Sequence, residues 1–230
     1  MSAPVILILG AGPRIGTSVE DKFAADGYKV AIASMKGTNG IDEKGYYSLQ
    51  ADLMEPESMP AIFQAVEAEF NTVPSVVVYN APGLTPPPAQ HRVLSRTAHG
   101  VAADLNVNTV STYAAAQEAL AAWDKLPAGT KKTFIYTGNI LNRLVLPVSM
   151  MQNHGIGKAA AAYWIGVTDA LYEPDGCRFF YADERTEDGK IKGIHLDGPA
   201  RAEFYAELVK HEGNLPWEAT FVKGKGFVKF

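Results

Sequence analysis

Two side chains one helical turn apart, His154 and Lys158, carry the first chemical signal in this sequence. Residues at i and i+4 share a helix face, so both can reach one site. Imidazole is the commonest general acid near neutral pH. An ammonium beside it favours the neutral ring, which is a poor proton donor. Three roles for His154 stay open on this reading: acid, pocket-filling residue with the proton supplied elsewhere, or surface residue at a helix start. The second signal is GAGPRIG, with Gly10, Gly12 and Gly16. Glycine has no Cβ, so its backbone can approach a pyrophosphate. The helix whose apolar face begins at Ile15 aims free N–H groups and the positive end of its dipole at the same place.

These residues need elements to hold them. Residues 4 to 9 form a nearly continuous apolar run, as in a strand buried on both faces of a parallel sheet. The glycines follow, then Ile15, Val19 and Phe23 at helical spacing, then a stop at Asp26-Gly27, then a second apolar strand over 29–34. That is one βαβ unit with the glycine turn at its first corner. Further strands are predicted over 46–50, 75–80, 133–137 and 177–181. Helices are predicted over 56–70, in two pieces from 94 to 125, over 155–171 and over 199–211. Residues 36–45 and 183–198 read as polar loops, 81–91 is too proline-rich for regular structure, and the chain closes in a strand or a hairpin turning at 224–226. The alternation implies an α/β fold: a Rossmann-like, doubly wound parallel sheet in a three-layer α/β/α sandwich. Ligands then bind where the strands end.

At the end of the second strand stand Ser34, Met35 and Lys36, with no carboxylate to hold a ribose 2′-hydroxyl. Lys36 and Arg14 can together face a 2′-phosphate, and Ser34 can donate to it, which favours NADP(H) over NAD(H). The alternative is that both cations are simply solvated. Asp52 either binds ligand or caps a helix.

The 230 residues are 47% hydrophobic, enough for one large α/β core spanning 1–230. A net charge of −4 gives no basic footprint for nucleic acid. No apolar run approaches the roughly 20 residues of a membrane span. The start, MSAPVILILGAG, lacks the basic region of a signal peptide. The single cysteine, Cys177, fits a reducing compartment and reads as a packed small hydrophobe. A cytoplasmic protein acting on a small molecule is expected, with no metal.

The sequence resembles the short-chain dehydrogenase/reductase family. In that family's T-G-x-x-x-G-x-G pattern, Gly10 and Gly16 match the first and third glycines, Arg14 stands for the middle one and Leu9 for the threonine. Asp52-Leu53 resembles the family's Asp-Val pair, whose carboxylate meets the adenine amino group. Asn80-Ala81 resembles its N-N-A-G turn. Asn108 matches the helix asparagine whose carbonyl holds a relay water. The Tyr-x-x-x-Lys signature reads here His154-Gly155-Ile156-Gly157-Lys158, so the lysine that holds the nicotinamide ribose is present and the tyrosine is replaced. Asn139 stands nearest the family's serine. Tyr113, Tyr136 and Tyr181 are other sources of a phenol, with core packing as the alternative. Asp183, Glu184 and Arg185 either line the substrate mouth or form a solvated loop.

The resemblance implies an oxidoreductase moving hydride from NADPH to a small carbonyl-type substrate. A cofactor-binding sensor without turnover, or an isomerase, are the alternatives that loss of the tyrosine motivates. It also implies a homodimer or homotetramer built on the two alanine-rich helices.

Overall fold

The computed structural model describes residues 3–89, 92–193 and 195–230; Gln90 and His91 of the proline-rich segment, and Met1 and Ser2 of the start, lie outside them. Nine strands form one sheet: β1 (Val5–Leu9), β2 (Lys29–Ser34), β3 (Gly40–Ile41), β4 (Tyr47–Gln50), β5 (Val76–Tyr79), β6 (Lys132–Thr137), β7 (Cys177–Arg185), β8 (Glu218–Val222) and β9 (Gly226–Phe227). Their order is β3-β4-β2-β1-β5-β6-β7-β8-β9. The inner pairs are parallel; only β3 on β4 and β9 on β8 run antiparallel. From β1 the chain builds outward through β2 and β4, then returns to β5 and builds the other way. The strand order therefore reverses beside the end of β1, where the glycine turn sits.

The helices are α1 (Ile15–Ala25), α2 (Met59–Phe70), α3 (Ala98–Leu105), α4 (Ser111–Trp123), α5 (Gln152–Tyr172) and α6 (Gly198–Leu208). Alternation along β1 divides the core. Val5, Leu7 and Leu9 face one layer, with Met59 and Phe63 of α2, Ala115 and Ala119 of α4 and Ala161 and Ile165 of α5. Ile6 and Ile8 face the other, with Val19 and Phe23 of α1 and Phe204, Tyr205 and Leu208 of α6. A strand buried on both faces is apolar at consecutive positions for this reason.

Three expectations are corrected. The loop over 36–45 contains the short edge strand β3, which pairs with β4. Helix α5 begins at Gln152, so His154 lies inside its first turn, buried. The third correction is larger: Asp183, Glu184 and Arg185 are neither a loop nor solvated. They extend β7, pair with Thr220, Phe221 and Val222 of β8, and are 1%, 2% and 5% exposed. Buried charges persist only when paired. Arg185 binds Asp183 on one face of the sheet. On the other, Glu184 meets Arg201 of α6 at 3.2 Å and Lys192 at 3.3 Å, and accepts the backbone N–H of Asp197.

Candidate functional site

The glycine turn is shaped by two different constraints. Gly10 has φ +97°, and a Cβ there would stand 2.5 Å from the backbone nitrogen of Ala81. Only glycine accepts that conformation and that approach. Asn80 ties the same corner from the end of β5, its Nδ2 donating to the Gly10 carbonyl at 2.9 Å. A Cβ on Gly16 would stand 2.9 Å from the Ala11 backbone. Gly12 is different: a Cβ built on it meets nothing within 4 Å. Its face is open space at the N-terminus of α1, where free N–H groups converge. A pyrophosphate fits there.

Ile15 and Leu53 send their side chains into the core. Arg14 and Lys36 are both exposed, and Ser34 is half-buried. Asp52 accepts the N–H of Met54 at 2.9 Å and borders a cavity of about 400 Å³ that Asn39, Gln50, Ala51 and Ile62 also line. This is a turn contact and not a helix cap: the helical turn over Pro56–Ser58 is entered at Glu55 and α2 at Ser58, so the capping alternative for Asp52 is not realised.

Two of the three phenols that the sequence offered as proton sources, Tyr136 and Tyr181, are spoken for, and so is Tyr79. Tyr79, Tyr136 and Tyr181 stand in register across β5, β6 and β7. Between α3 and α4 the helix widens into a π turn over Asn106–Val110, which frees carbonyls from the usual ladder. Tyr79 donates to the Val107 carbonyl and Tyr136 to the Asn108 carbonyl, both at 2.8 Å. Tyr181 donates to the Asn139 carbonyl at 2.7 Å. Burial pushes all three phenols well above their ordinary pKa. Tyr113 lies 47% exposed on the outer face of α4. The Asn108 side chain is fully buried and grips Gly83 twice, accepting its N–H at 2.9 Å and donating to its carbonyl at 2.7 Å. The sequence placed Asn108 but gave no sign that a phenol would sit on its carbonyl; that follows from the register of β6 against the π turn.

His154, Asn139 and Lys158 meet at the ends of β6 and β7. Asn139 Oδ1 accepts the Leu141 N–H at 3.0 Å, so its Nδ2 must be the end that faces His154 Nε2 at 3.1 Å. Nε2 therefore accepts, and the neutral ring carries its proton on Nδ1, on the side of the Gly83 backbone. Nδ1 is buried without a hydrogen-bond partner among the described residues. Burial, and then the Lys158 charge, push the His154 pKa down to about 3. Next to it, Asn153 donates to Asp104 at 2.9 Å, and Asp104 also accepts the Thr85 hydroxyl at 2.7 Å. This pins the segment after β5 to the first turn of α5.

Lys158 is 4% exposed. Its Nζ donates to the Thr137 carbonyl at 2.7 Å and lies 4.0 Å from the centre of the Tyr136 ring. Burial, and then repulsion from Arg201, bring its pKa down to about 7, against a pull upward from Asp183. Arg201 had no motif to mark it; it lies on α6, in the other layer of the fold, and bears on Lys158 only through its charge. With a folded pKa of about 7 against 10.5 unfolded, the unfolded chain binds the extra proton between those values. Stability should then rise with pH above 7, and be independent of this group below it. Urea midpoints at pH 7 and 9 are expected to differ more for the wild type than for Lys158→Met; equal slopes would refute the assignment.

A cavity of about 730 Å³ opens beside this cluster, lined by Leu141, Leu144, Val148, Met151 and Ile156, and by Gly155, the neighbour of His154. Neither Asn139 nor His154 lines it. Among the described residues no group of three or more His, Cys, Asp or Glu side chains is placed to hold a metal ion, and no helix is long and apolar enough to cross a membrane.

Comparison with known proteins places this geometry. Residues 4–131 match the family model for short chain dehydrogenases. The chain is 40% identical to the short chain dehydrogenase/reductase dmxR12 of Cryptosporiopsis sp., over 100% of this chain and 96% of that one. A short chain dehydrogenase from Burkholderia cenocepacia, solved in complex with NADP, superposes with a TM-score of 0.72 at 21% identity, over 98% of each chain. An oxidoreductase of the same family from Brucella ovis, solved with a partially ordered NAD, gives 0.70 at 15% identity, over 96% of this chain and 99% of that one. These two likenesses are of fold.

Proposed function

The chain belongs to the short-chain dehydrogenase/reductase family, and from that premise we propose that it is an NADP(H)-dependent oxidoreductase acting on a small carbonyl-type substrate, with residues 1–230 forming one dinucleotide-binding domain. The observation that carries the reading is the open face of Gly12 at the start of α1, beside the point where the strand order reverses. Gly10, Gly12, Ile15 and Gly16 would hold the pyrophosphate through the backbone. Asn80 and Ala81 hold the turn in shape. Arg14, Ser34 and Lys36 would take a 2′-phosphate, since no carboxylate stands among them and both cations are exposed. Asp52, and the backbone of Leu53, would border the adenine. When bound, the reduced nicotinamide supplies a hydride.

Asn139 presents an amide donor at the reacting centre, and His154 holds that amide in orientation. Lys158 keeps the end of β6 in place through the Thr137 carbonyl and, by its match to the family's lysine, would hold the nicotinamide ribose. Asn108 fixes Gly83, and with it the segment over the site. Catalysis of this kind rests on positioning more than on proton transfer.

The competing reading, a cofactor-binding sensor, draws on the burial of Lys158 and on the three occupied phenols. NADPH fluorescence titration followed by a substrate panel in the same cuvette separates the two. Binding with oxidation supports the reductase, and binding with none across the panel supports the sensor. Absence of binding refutes both.

The outer face of α4 and α5 supports a homodimer or homotetramer. Tyr113, Ile156, Tyr163, Val167 and Leu171 are 47%, 46%, 78%, 47% and 67% exposed, with Ala159 and Ala160 between them. An uncharged apolar stripe of this length marks an association surface. Tyr163→Lys with Val167→Glu should leave a folded monomer by sedimentation at micromolar concentration, while the wild type sediments as the larger species.

A further inference from the structure

The site is furnished with a hydrogen-bond donor but with no acid at the reacting oxygen. The donor is Asn139. Its Oδ1 is taken by the Leu141 N–H and one Nδ2 hydrogen by His154 Nε2, which leaves the second hydrogen without an acceptor among the described residues. Asn139 is half-buried, and so can meet a ligand. The groups able to yield a proton are turned elsewhere. The Tyr136 and Tyr181 hydroxyls are spent on backbone carbonyls, and the Thr137 hydroxyl shares a hydrogen bond with Tyr205 at 2.9 Å. The Lys158 amine donates to the Thr137 carbonyl under the Tyr136 ring. His154 offers Asn139 a lone pair and keeps its own N–H buried.

We propose that Asn139 binds the substrate oxygen as an anion, and that the substrate is a quinone or a cyclic conjugated ketone, whose reduced form is a stabilised phenolate or enolate. This rests on the reductase reading above. Hydride addition to a ring carbon conjugated with the carbonyl forms one C–H bond and drives the π pair through the conjugated system onto oxygen. The conjugated ring is reduced and the reduced nicotinamide is oxidised. The oxyanion stays on the Asn139 N–H until release, and water then supplies the proton. No protein group gains or loses one. A saturated ketone would leave an alkoxide far too basic to persist on an amide donor, so it needs an acid that this site lacks. His154 is on this account a positioning residue: its fixed lone pair sets which way the Asn139 amide points.

The anion site is tested first without cofactor. Bound 4-nitrophenol should ionise about tenfold more readily than free 4-nitrophenol, read from its phenolate absorbance against pH. Asn139→Asp should abolish that preference, and His154→Phe should weaken it. His154→Gln, whose carbonyl oxygen can accept the same hydrogen bond, should restore it. An unshifted titration, equal shifts in wild type and Asn139→Asp, or failure of the phenol to bind at millimolar concentration would each overturn the proposal. Turnover is tested second. Above the enzyme-free rate, NADPH oxidation by a 1,4-naphthoquinone should exceed that by a saturated bicyclic ketone of matched size by about a hundredfold. Comparable rates, or the ketone alone reacting, would overturn it. NADPH binding is measured separately by fluorescence. No binding would refute the reductase reading, while the phenol titration still decides the anion site.

Discussion

Gly12→Val is expected to remove nucleotide binding and leave the fold unchanged. The added side chain starts into open space, because nothing beyond the chain neighbours lies within 4 Å of the Cβ position and the backbone there is not left-handed. The space it fills is the place where a pyrophosphate reaches the N–H groups of α1. Loss of at least about 100-fold in NADPH affinity is expected, roughly 2.7 kcal/mol, with unfolding free energy within about 0.5 kcal/mol of wild type. Gly10→Ala makes the contrast. It forces a side chain into φ +97° and against the Ala81 backbone at 2.5 Å, so it should destabilise the protein outright. Fluorescence titration and urea denaturation of both variants check the pair. Unaltered NADPH binding in Gly12→Val would refute the cofactor site.

Glu184→Gln should cost about 3–5 kcal/mol of stability, because it leaves buried cations without their countercharge. Glu184 is 2% exposed and Arg201 1%. The same carboxylate also holds Lys192 and the Asp197 N–H at the entrance to α6. One substitution thus disturbs β7, the segment after it and the helix that covers it. Replacing both partners, in Glu184→Leu with Arg201→Leu, should recover most of the loss, since two apolar side chains need no pairing. Equilibrium urea denaturation of the two single variants and the double gives the coupling directly. A Glu184→Gln midpoint equal to wild type would mean that the pair is solvated. Removing Arg201 also relieves the repulsion that lowers the Lys158 pKa. Any steepening of stability with pH that depends on Lys158 should therefore weaken in Arg201→Leu.

The amino-acid sequence alone was enough for the parallel sheet, while the strand order and its reversal beside β1 came from the tertiary structure. Apolar runs at β1, β2, β5 and β6, each followed by helical spacing, admit little besides a parallel doubly wound sheet, because strands buried on both faces must be apolar at every position. The same local logic located the glycine turn, and the i, i+4 relation brought His154 and Lys158 to one helix. Tertiary structure decided what sequence periodicity does not encode. Asp183, Glu184 and Arg185 read as a polar loop because charge in a short window signals solvent; they are strand because Arg201 and Lys192, distant in sequence, neutralise Glu184 across the fold, while Arg185 pairs with Asp183. Tyr136 read as either a proton source or a core residue; it is core, and its hydroxyl is taken by the Asn108 carbonyl, which a π turn 28 residues away in sequence frees for it. The direction of the Asn139 amide, and hence the tautomer of His154, depend on hydrogen bonds across a loop and a helix turn. Spacing along a chain fixes which face a residue occupies, whereas the partner of a buried polar atom is set by packing between segments that are remote in sequence.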